Sequence, residues 1–465
     1  MRRRSGLRTI LFTALLFIFQ NSIGLAWAAS GPQADAAGAS QAGASQASPS
    51  ERPVIREAED KERQKVQAYT LTTDQREKAI AYSRASYRLY FIGIAYGLAL
   101  FYFLMRLQWP VRFGRWAAGS GTRRRFLQVL IFAPLFLITL QVMTFPVDYY
   151  GEHLEKKFGL SVQSFGSWML DWLKGLALGI VLGTFLIWIL YGVIRRSPRR
   201  WWFYFWLATI PIAVFLIFLQ PYVIEPLFYK FTPLKDTQPK LTERLLKVVD
   251  GAGLDIPESR MYEMNASTKV KALNAYVSGL GSSKRVVVWD TTINKMTPDE
   301  IAFVFGHEAG HYVLHHIPKL IALTLLVVLV LFYLGYRLVS WAIPHWQDWS
   351  GVSRIEDWGS LTLLLLFLTV LSFISNPLLN GISRHFEHEA DIYGLEVTHG
   401  LVSDCQQDAA RAFQILGEVD LGDPDPGEFI KVWLYGHPPV AERVTFALQY
   451  NPWSEGRRPE FVTVK

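Results

Sequence analysis

Long apolar runs alternate with polar segments along most of this chain after its first 67 residues. A helix crosses the hydrocarbon core of a bilayer with about 20 predominantly apolar residues, and these runs reach that length. Trp and Tyr cluster at their ends, as they do at membrane–water interfaces. One soluble core could not hold so many runs. We therefore predict six membrane helices, at about 88–105, 126–147, 172–194, 201–220, 319–343 and 358–380.

The segments between the runs divide the chain into regions of different composition. The stretch before the fifth run contains a strand-like sequence and a capped helix, so we expect a small α+β domain beside the predominantly α-helical, multi-pass membrane part. Gln141, Asn376 and Asn380 are polar residues within predicted spans and need protein or water partners there. The predicted regions are a signal peptide or first membrane helix (1–28), a linker (29–67), a four-span membrane region (68–220), a catalytic segment (221–318), a two-span hairpin (319–380) and a C-terminal catalytic segment (381–465).

The first 28 residues have the pattern of a secretory signal peptide. Arg2-Arg3-Arg4 precedes an apolar stretch at 10–19, and Ala26-Trp27-Ala28 offers small residues for cleavage. An uncleaved seventh membrane helix is the alternative, and the sequence leaves both open. The tract that follows, from residue 29 to about 50, is rich in Ala, Gly, Ser and Gln and predicts a flexible linker.

Composition and charge exclude several other classes of protein. Hydrophobic residues make up 51% of the 465 residues, too large a share for an ordinary soluble enzyme. The net charge of +7 does not indicate a nucleic-acid partner, because most of the basic excess lies in two short loops between spans. Cys405 is the only cysteine, so neither an intramolecular disulfide nor a zinc site built on cysteines is possible.

The two basic loops predict the orientation of the protein. Loops rich in arginine face the cytoplasm, and alternation of the spans then puts the catalytic segments on the opposite side. The signal-like N-terminus independently places residue 29 onward outside. We therefore expect an extracytoplasmic catalytic face at the cell or plasma membrane. The loop arginines are Arg106, Arg112, Arg115, Arg123, Arg124 and Arg125 after the first span, and Arg195, Arg196, Arg199 and Arg200 after the third.

The strongest chemical signal is the pentapeptide from His307 to His311, which reads His-Glu-Ala-Gly-His. Thr297 and Glu300 form a predicted capping box, with Pro298 at the first helical position, so the motif lies on a helix. Two histidines four residues apart share one helical face and can bind one ion, and Glu308 beside them can take a proton from an activated water. This is half of a zinc-hydrolase site.

A third ligand must come from elsewhere in the chain. The metzincin spacing is excluded, because Leu314 and Ile317 stand where it needs Gly and His. The segment 383–391, beyond two spans, crowds several candidate ligands together. Glu387 and Asp391 share a helical face there, so one can bind the ion while the other orients a ligand histidine. Spacing alone does not choose among the candidates.

Further motifs follow one another in a fixed order along residues 68–450. They are Asn274-Ala275-Tyr276, the strand-like 285–291, the zinc-helix motif 307–311, the two-span hairpin, Arg384-His385-Phe386-Glu387 with Ala390-Asp391, and His437-Pro438-Pro439 with Glu442-Arg443. Together they resemble the type I CAAX prenyl proteases, the sterile-24 family of integral-membrane zinc peptidases of the gluzincin type.

The resemblance implies a metal centre with one zinc ion per chain. His307, His311 and Glu387 would bind the ion, Glu308 would act as general base and acid, and Asp391 would steady a ligand histidine.

The resemblance also implies how the substrate is held. His437 would help to stabilise the oxyanion, with Arg443 close by, and the strand of Asn274, Ala275 and Tyr276 would hold the substrate backbone. An exposed strand edge can bind an extended peptide through main-chain hydrogen bonds.

Two departures from the family pattern remain. His388 and Glu389 replace an aromatic residue and a glutamine, so Glu389 stays a rival third ligand. The N-terminus also looks secretory, whereas eukaryotic members process prenylated proteins from the cytosol.

We therefore expect a membrane-embedded zinc metalloendopeptidase that acts on a polypeptide, whether or not that polypeptide is prenylated or membrane-associated. The alternative is a quality-control protease of the heat-shock type, which normally has fewer spans. The oligomeric state stays open.

Overall fold

The computed structural model describes residues 65–119, 124–279 and 284–462. The predicted signal peptide or seventh span and nearly all of the predicted linker 29–67 lie outside these residues, as does Arg123. The helices are, in chain order, α1 (Thr73–Arg106), α2 (Trp109–Gly119), α3 (Arg125–Lys157), α4 (Phe165–Arg196), α5 (Trp201–Leu219), α6 (Leu234–Thr237), α7 (Pro239–Gly251), α8 (Asp290–Ile293), α9 (Pro298–Val313), α10 (His316–Ser350), α11 (Ser360–Thr398), α12 (Cys405–Val419), α13 (Glu428–Leu434) and α14 (Val440–Gln449).

The prediction of six membrane spans is confirmed. In the described residues, α1, α3, α4, α5 with its continuation to Leu227, α10 and α11 are long and apolar enough to cross a bilayer. Most of these helices extend well beyond the apolar runs that predicted them. Helix α11 has 39 residues, so at about 1.5 Å per residue it is roughly 58 Å long, about twice the hydrocarbon thickness. Its C-terminal half therefore projects from the membrane layer into the catalytic region.

The spans pack around an apolar core of their own. Phe132, Phe136, Tyr191 and Trp201 are among its largest fully buried side chains, and the short helix α2 contributes Phe113. The polar residues within the spans have protein partners. Gln141 donates to Asp148, Asn376 donates to the Tyr90 hydroxyl, and Asn380 donates to the carbonyl of Trp433.

A four-stranded sheet lies in the catalytic region. Its strands are β1 (Phe231–Pro233), β2 (Met261–Met264), β3 (Ala275–Ser278) and β4 (Arg285–Trp289). The spatial order is β1-β2-β4-β3, with β2 and β4 parallel and the other two pairs antiparallel. The predicted strand at 285–291 is thus β4, and β3 is an edge strand. A second apolar core joins this sheet to α7, α9, α12 and α14.

Helices α9 and α11 cross in close contact because glycines lie at the crossing. A Cβ added to Gly394 would lie 2.9 Å from the His307 backbone nitrogen, and one added to Gly306 would lie 2.8 Å from Val397 Cγ1. A Cβ added to Gly310, inside the motif, would lie 3.1 Å from Cδ1 of the Tyr393 ring. The crossing therefore brings the C-terminal half of α11 against the two histidines of α9.

The motif helix does not continue into the membrane. Helix α9 ends at Val313, and His315 adopts a left-handed conformation with φ 56° before α10 begins. A residue with a side chain rarely adopts this conformation, which costs about 1 kcal/mol or more. The break turns the chain so that His316, fully buried, faces back toward His311.

Candidate metal centre

The two motif histidines point the same ring atom at each other. His307 Nε2 and His311 Nε2 are 3.2 Å apart, one helical turn from each other on α9. Glu387 enters from α11, with Oε2 at 3.3 Å from His307 Nε2 and Oε1 at 3.6 Å from His311 Nε2. These three residues form the group of potential ligands found among the described residues, with all ligand atoms within 4.8 Å of one another.

The separations fit a tetrahedral ion. Ligand atoms about 2.0–2.1 Å from such an ion lie roughly 3.3 Å from each other, and the three observed distances are 3.2, 3.3 and 3.6 Å. The set of two imidazoles and one carboxylate leaves the fourth position for water or substrate. These residues can thus hold one divalent metal ion without rearrangement of the backbone.

A buried chain of polar side chains orients His307. Asp391 Oδ1 lies 2.7 Å from His307 Nδ1, which leaves Nε2 directed toward the cluster. Arg443 binds both carboxylate oxygens of Asp391, and its Nε is 2.7 Å from Oδ2. Arg443 is 1% exposed and lies over the Phe413 ring. The structure therefore places Arg443 behind Asp391, with its Nη2 3.4 Å from His307 Nδ1.

A second chain orients His311, and the sequence did not predict it. His316 Nδ1 is 3.1 Å from His311 Nδ1, and His316 Nε2 is 2.9 Å from Glu389 Oε2. Phe386 stacks on the His316 ring. Glu389, the rival third ligand, is thus directed at His316 and, at 3.5 Å, at His385. The His315-His316 pair was a sequence signal, but its use depends on the left-handed break.

Two further predicted residues lie around the cluster. Glu308 follows His307 on α9, with Oε1 3.7 Å from His307 Nε2, and the residue is 8% exposed. His437 comes from the segment between α13 and α14, with Nε2 at 3.2 Å from Glu387 Oε2. The structure therefore brings a carboxylate and an additional imidazole to the same three-residue group.

The predicted substrate strand lies at the sheet edge nearest α9. The amide of Trp289 donates to the Asn274 carbonyl, so with the observed register Ala275 and Val277 turn their peptide groups away from β4. The Tyr312 hydroxyl, one residue past the motif, donates to the carbonyls of Val277 and Gly279.

The side chain of Tyr276 has a structural contact on the membrane side. Its hydroxyl donates to Glu225 Oε2, which also pairs with Arg285. Burial raises the pKa of Tyr276 well above its usual value, so the phenol stays a donor. This residue ties the edge strand to the end of the fourth span.

Comparison with known proteins agrees with this geometry. The profile of peptidase family M48 matches residues 235–451, and that of the CAAX prenyl protease N-terminal region, described as five membrane helices, matches residues 55–230. An uncharacterized metalloprotease of Bacillus subtilis, YhfN, is 35% identical over 373 residues, covering 80% of this chain and 85% of that protein. CAAX prenyl protease 1 of Saccharomyces cerevisiae is 27% identical, covering 80% of this chain and 85% of its own length.

A solved structure has the same architecture. The crystal structure of S. mikatae Ste24p matches with a TM-score of 0.70 at 26% identity, covering 82% of this chain and 89% of that chain. Fold and site together thus define an integral-membrane metallopeptidase with a multi-pass helical region. The chain belongs to peptidase family M48. It is a membrane-embedded metalloendopeptidase resembling the CAAX prenyl proteases, and the heat-shock type of protease is not favoured.

Proposed function

We propose that this protein cleaves an extended polypeptide at a single zinc ion held by His307, His311 and Glu387. The observation that carries the proposal is the spacing of the three ligand atoms, which matches a tetrahedral ion, with Glu308 beside them. Zinc suits two imidazoles and one carboxylate, and when bound it supplies a Lewis acid and lowers the pKa of a water molecule.

The residues of the chain perform the remaining tasks. The Glu308 carboxylate accepts the proton of the attacking water and returns it to the leaving amine. Asp391, held by Arg443, keeps His307 in the tautomer that presents Nε2 to the ion. We assign Arg443 this positioning role. His437 donates a hydrogen bond to the negative charge that develops on the scissile carbonyl oxygen.

The substrate backbone lies along the edge of β3, at Asn274, Ala275 and Tyr276. The location of β3 at the edge of the sheet supports this assignment. Main-chain pairing of this kind selects extended conformation more than sequence. The side chain of Tyr276 is engaged with Glu225, so we assign substrate contact to the backbone of this strand.

The test is a proteolysis assay with the purified, membrane-reconstituted protein and its Glu308→Gln variant. Two substrates are compared, a prenylated CAAX peptide and an unfolded polypeptide, and bound zinc is measured by mass spectrometry. Glu308→Gln should retain one zinc per chain and lose turnover on whichever substrate the wild type cleaves. Wild-type turnover in the variant, or cleavage of neither substrate by the wild type, would reject the proposal.

We also propose that the catalytic face is extracytoplasmic. The arginine-rich helix ends support this, namely the C-termini of α1 and α4 and the N-terminus of α3, since Arg195 at the end of α4 contacts the loop between α10 and α11, away from the catalytic segments. The natural Cys405 is a poor probe, since it is buried and burial raises its pKa to about 12. Ser454→Cys on the catalytic side and Arg199→Cys on the other are exposed. An impermeant maleimide should label the former alone in intact cells, and the reverse pattern would contradict the orientation.

The two apolar cores support the regional division expected from the sequence. One core takes its residues from the membrane part, 68–220 with the hairpin 319–380, and the other from 221–318 with 381–465. We propose these as the membrane and catalytic regions.

A further inference from the structure

One face of α11 leads along the helix to the metal cluster. Asn380, Ser383, Arg384 and Glu387 are spaced at i, i+3, i+4 and i+7, so all four lie on this face. Glu387 belongs to the cluster already described. The other three contact the segment that ends at His437.

The three side chains bind four main-chain carbonyls of that segment. Asn380 Nδ2 donates to the Trp433 carbonyl at 2.7 Å, and Ser383 Oγ donates to the Gly436 carbonyl at 2.5 Å. Arg384 Nη1 donates to the carbonyls of Lys431 and Tyr435, at 2.9 and 2.6 Å.

These bonds cap the C-terminus of α13. The last carbonyls of any helix lack intrahelical partners, and a cation placed there also interacts favourably with the helix dipole. In this chain, α11 supplies partners to the carbonyls of Lys431 and Trp433, in addition to the amide of Tyr435 that donates to the Lys431 carbonyl. The position of the helix end is therefore fixed relative to Glu387.

Packing alone does not fix α13. None of its seven residues is buried, and Phe429 and Val432 are exposed. Its apolar contacts are rings on one side, where Phe429 stacks on Phe91 and Trp433 lies against Phe373. Such contacts leave the helix free to slide or rotate, whereas hydrogen bonds to four carbonyls define one position.

His437 lies only three residues after the end of α13. Gly436 precedes it, and Pro438 and Pro439 follow, with Pro439 at the N-cap of α14. A proline restricts the conformation of the residue before it, so His437 has little freedom on that side. On the other side, its placement depends on the carbonyls that α11 holds.

We propose that Arg384, assisted by Asn380 and Ser383, is a positioning residue that holds His437 in place for catalysis. This rests on the proposed function, because it takes His437 as the donor to the oxyanion. Loss of the Arg384 guanidinium releases two carbonyls and lets the segment shift. Displacement by about 1 Å is enough to cost a catalytic group most of its effect.

The test is a double-mutant cycle on steady-state proteolysis in membrane-reconstituted protein. Arg384→Met removes the donors but keeps the side-chain length, and we expect kcat to fall about 10–100-fold with KM little changed. Arg384→Lys should recover part of the loss, since an ammonium can still reach one carbonyl. In a His437→Ala background, Arg384→Met should have no further effect on kcat, because its action passes through His437.

Lys431→Ala is the matched control. It removes a side chain of α13 and its pairing with Glu442, but it keeps the carbonyl that Arg384 contacts. It should leave kcat unchanged, and all variants should bind one zinc.

An equal loss of kcat from Arg384→Met with and without His437 would overturn the inference, as would full activity of the single variant. Failure of the proposed function is distinguishable, since His437→Ala alone would then have wild-type turnover.

Discussion

The membrane bundle and the catalytic region both bury polar side chains, but they satisfy them by different means. In the bundle, neutral groups bond backbone or one another, as Thr209 does to the Trp206 carbonyl and Tyr191 does to Ser360. In the catalytic region, charged groups pair with each other, as Arg443 does with Asp391. Buried carboxylates in the spans are found at their catalytic ends, as with Asp148 near the end of α3.

The difference follows from the cost of removing charge from water. A neutral hydroxyl loses one modest hydrogen bond when its partner is removed, but an ion left alone in a buried site costs several kcal/mol. Single substitutions should therefore have larger effects in the catalytic region than at matched positions of the bundle. The first pair of variants compares two carboxylates within the catalytic region and the next two pairs compare the two regions, in order of decreasing expected effect.

The largest difference is expected between Glu387 and its neighbour Glu389. Glu387→Ala removes a proposed ligand and leaves two buried imidazoles without the carboxylate that faces them, so the protein should be purified without zinc. Turnover should fall by more than the roughly 10–100-fold that losing an outer partner costs. Glu389→Gln, which still offers an oxygen to His316, should keep the metal. Metal analysis and kcat measure both, and zinc loss in the Glu389 variant instead would make Glu389 the third ligand.

The second pair compares two glycines of α10 and α11. A Cβ on Gly394 would lie 2.9 Å from the His307 backbone nitrogen, so Gly394→Ala must separate α9 from α11 at the metal ligands. We expect a loss of about 1–3 kcal/mol in stability and weaker zinc binding. Gly335→Ala, in a membrane span, would meet Leu368 Cδ2 at 3.4 Å, an ordinary contact. Thermal unfolding in detergent should show a lower midpoint for the first variant alone, and equal midpoints would contradict the close crossing.

The same comparison explains what could be predicted from the sequence. The six spans were predictable because hydropathy is a local property of about 20 consecutive residues. Two proposed ligands and the proposed base were predictable because His307, Glu308 and His311 lie within about one helical turn. The extent of α11 beyond the bilayer was not predictable, because the polar part of a helix outside the membrane gives no hydropathy signal.

The rest of the site depends on tertiary structure. Glu387 and Glu389 are two residues apart, and the crossing at Gly394 decides which of them reaches the histidines. His316 faces His311 because His315 adopts a left-handed backbone conformation, which is uncommon for residues other than glycine and which no sequence pattern predicts at this position. The place of Arg443 behind Asp391 likewise follows from how α14 packs on α11.

The smallest difference is expected between two helix caps of the same kind. Thr72 is the N-cap of the membrane helix α1 and forms a capping box with Gln75. Thr297 is the N-cap of α9, the helix of the two motif histidines, and forms a capping box with Glu300. Thr297 is buried, and its Glu300 partner also pairs with Arg411 at 2.6 Å, whereas Thr72 is exposed to solvent. Replacing a cap by alanine costs about 0.5–2 kcal/mol. The cost of Thr297→Ala should lie at the upper end of that range, because water does not reach the buried amide that loses its cap. The cost of Thr72→Ala should lie at the lower end. Denaturant or thermal unfolding of both variants measures the difference, and an equal cost would show that burial does not amplify the loss of a hydrogen bond at this helix.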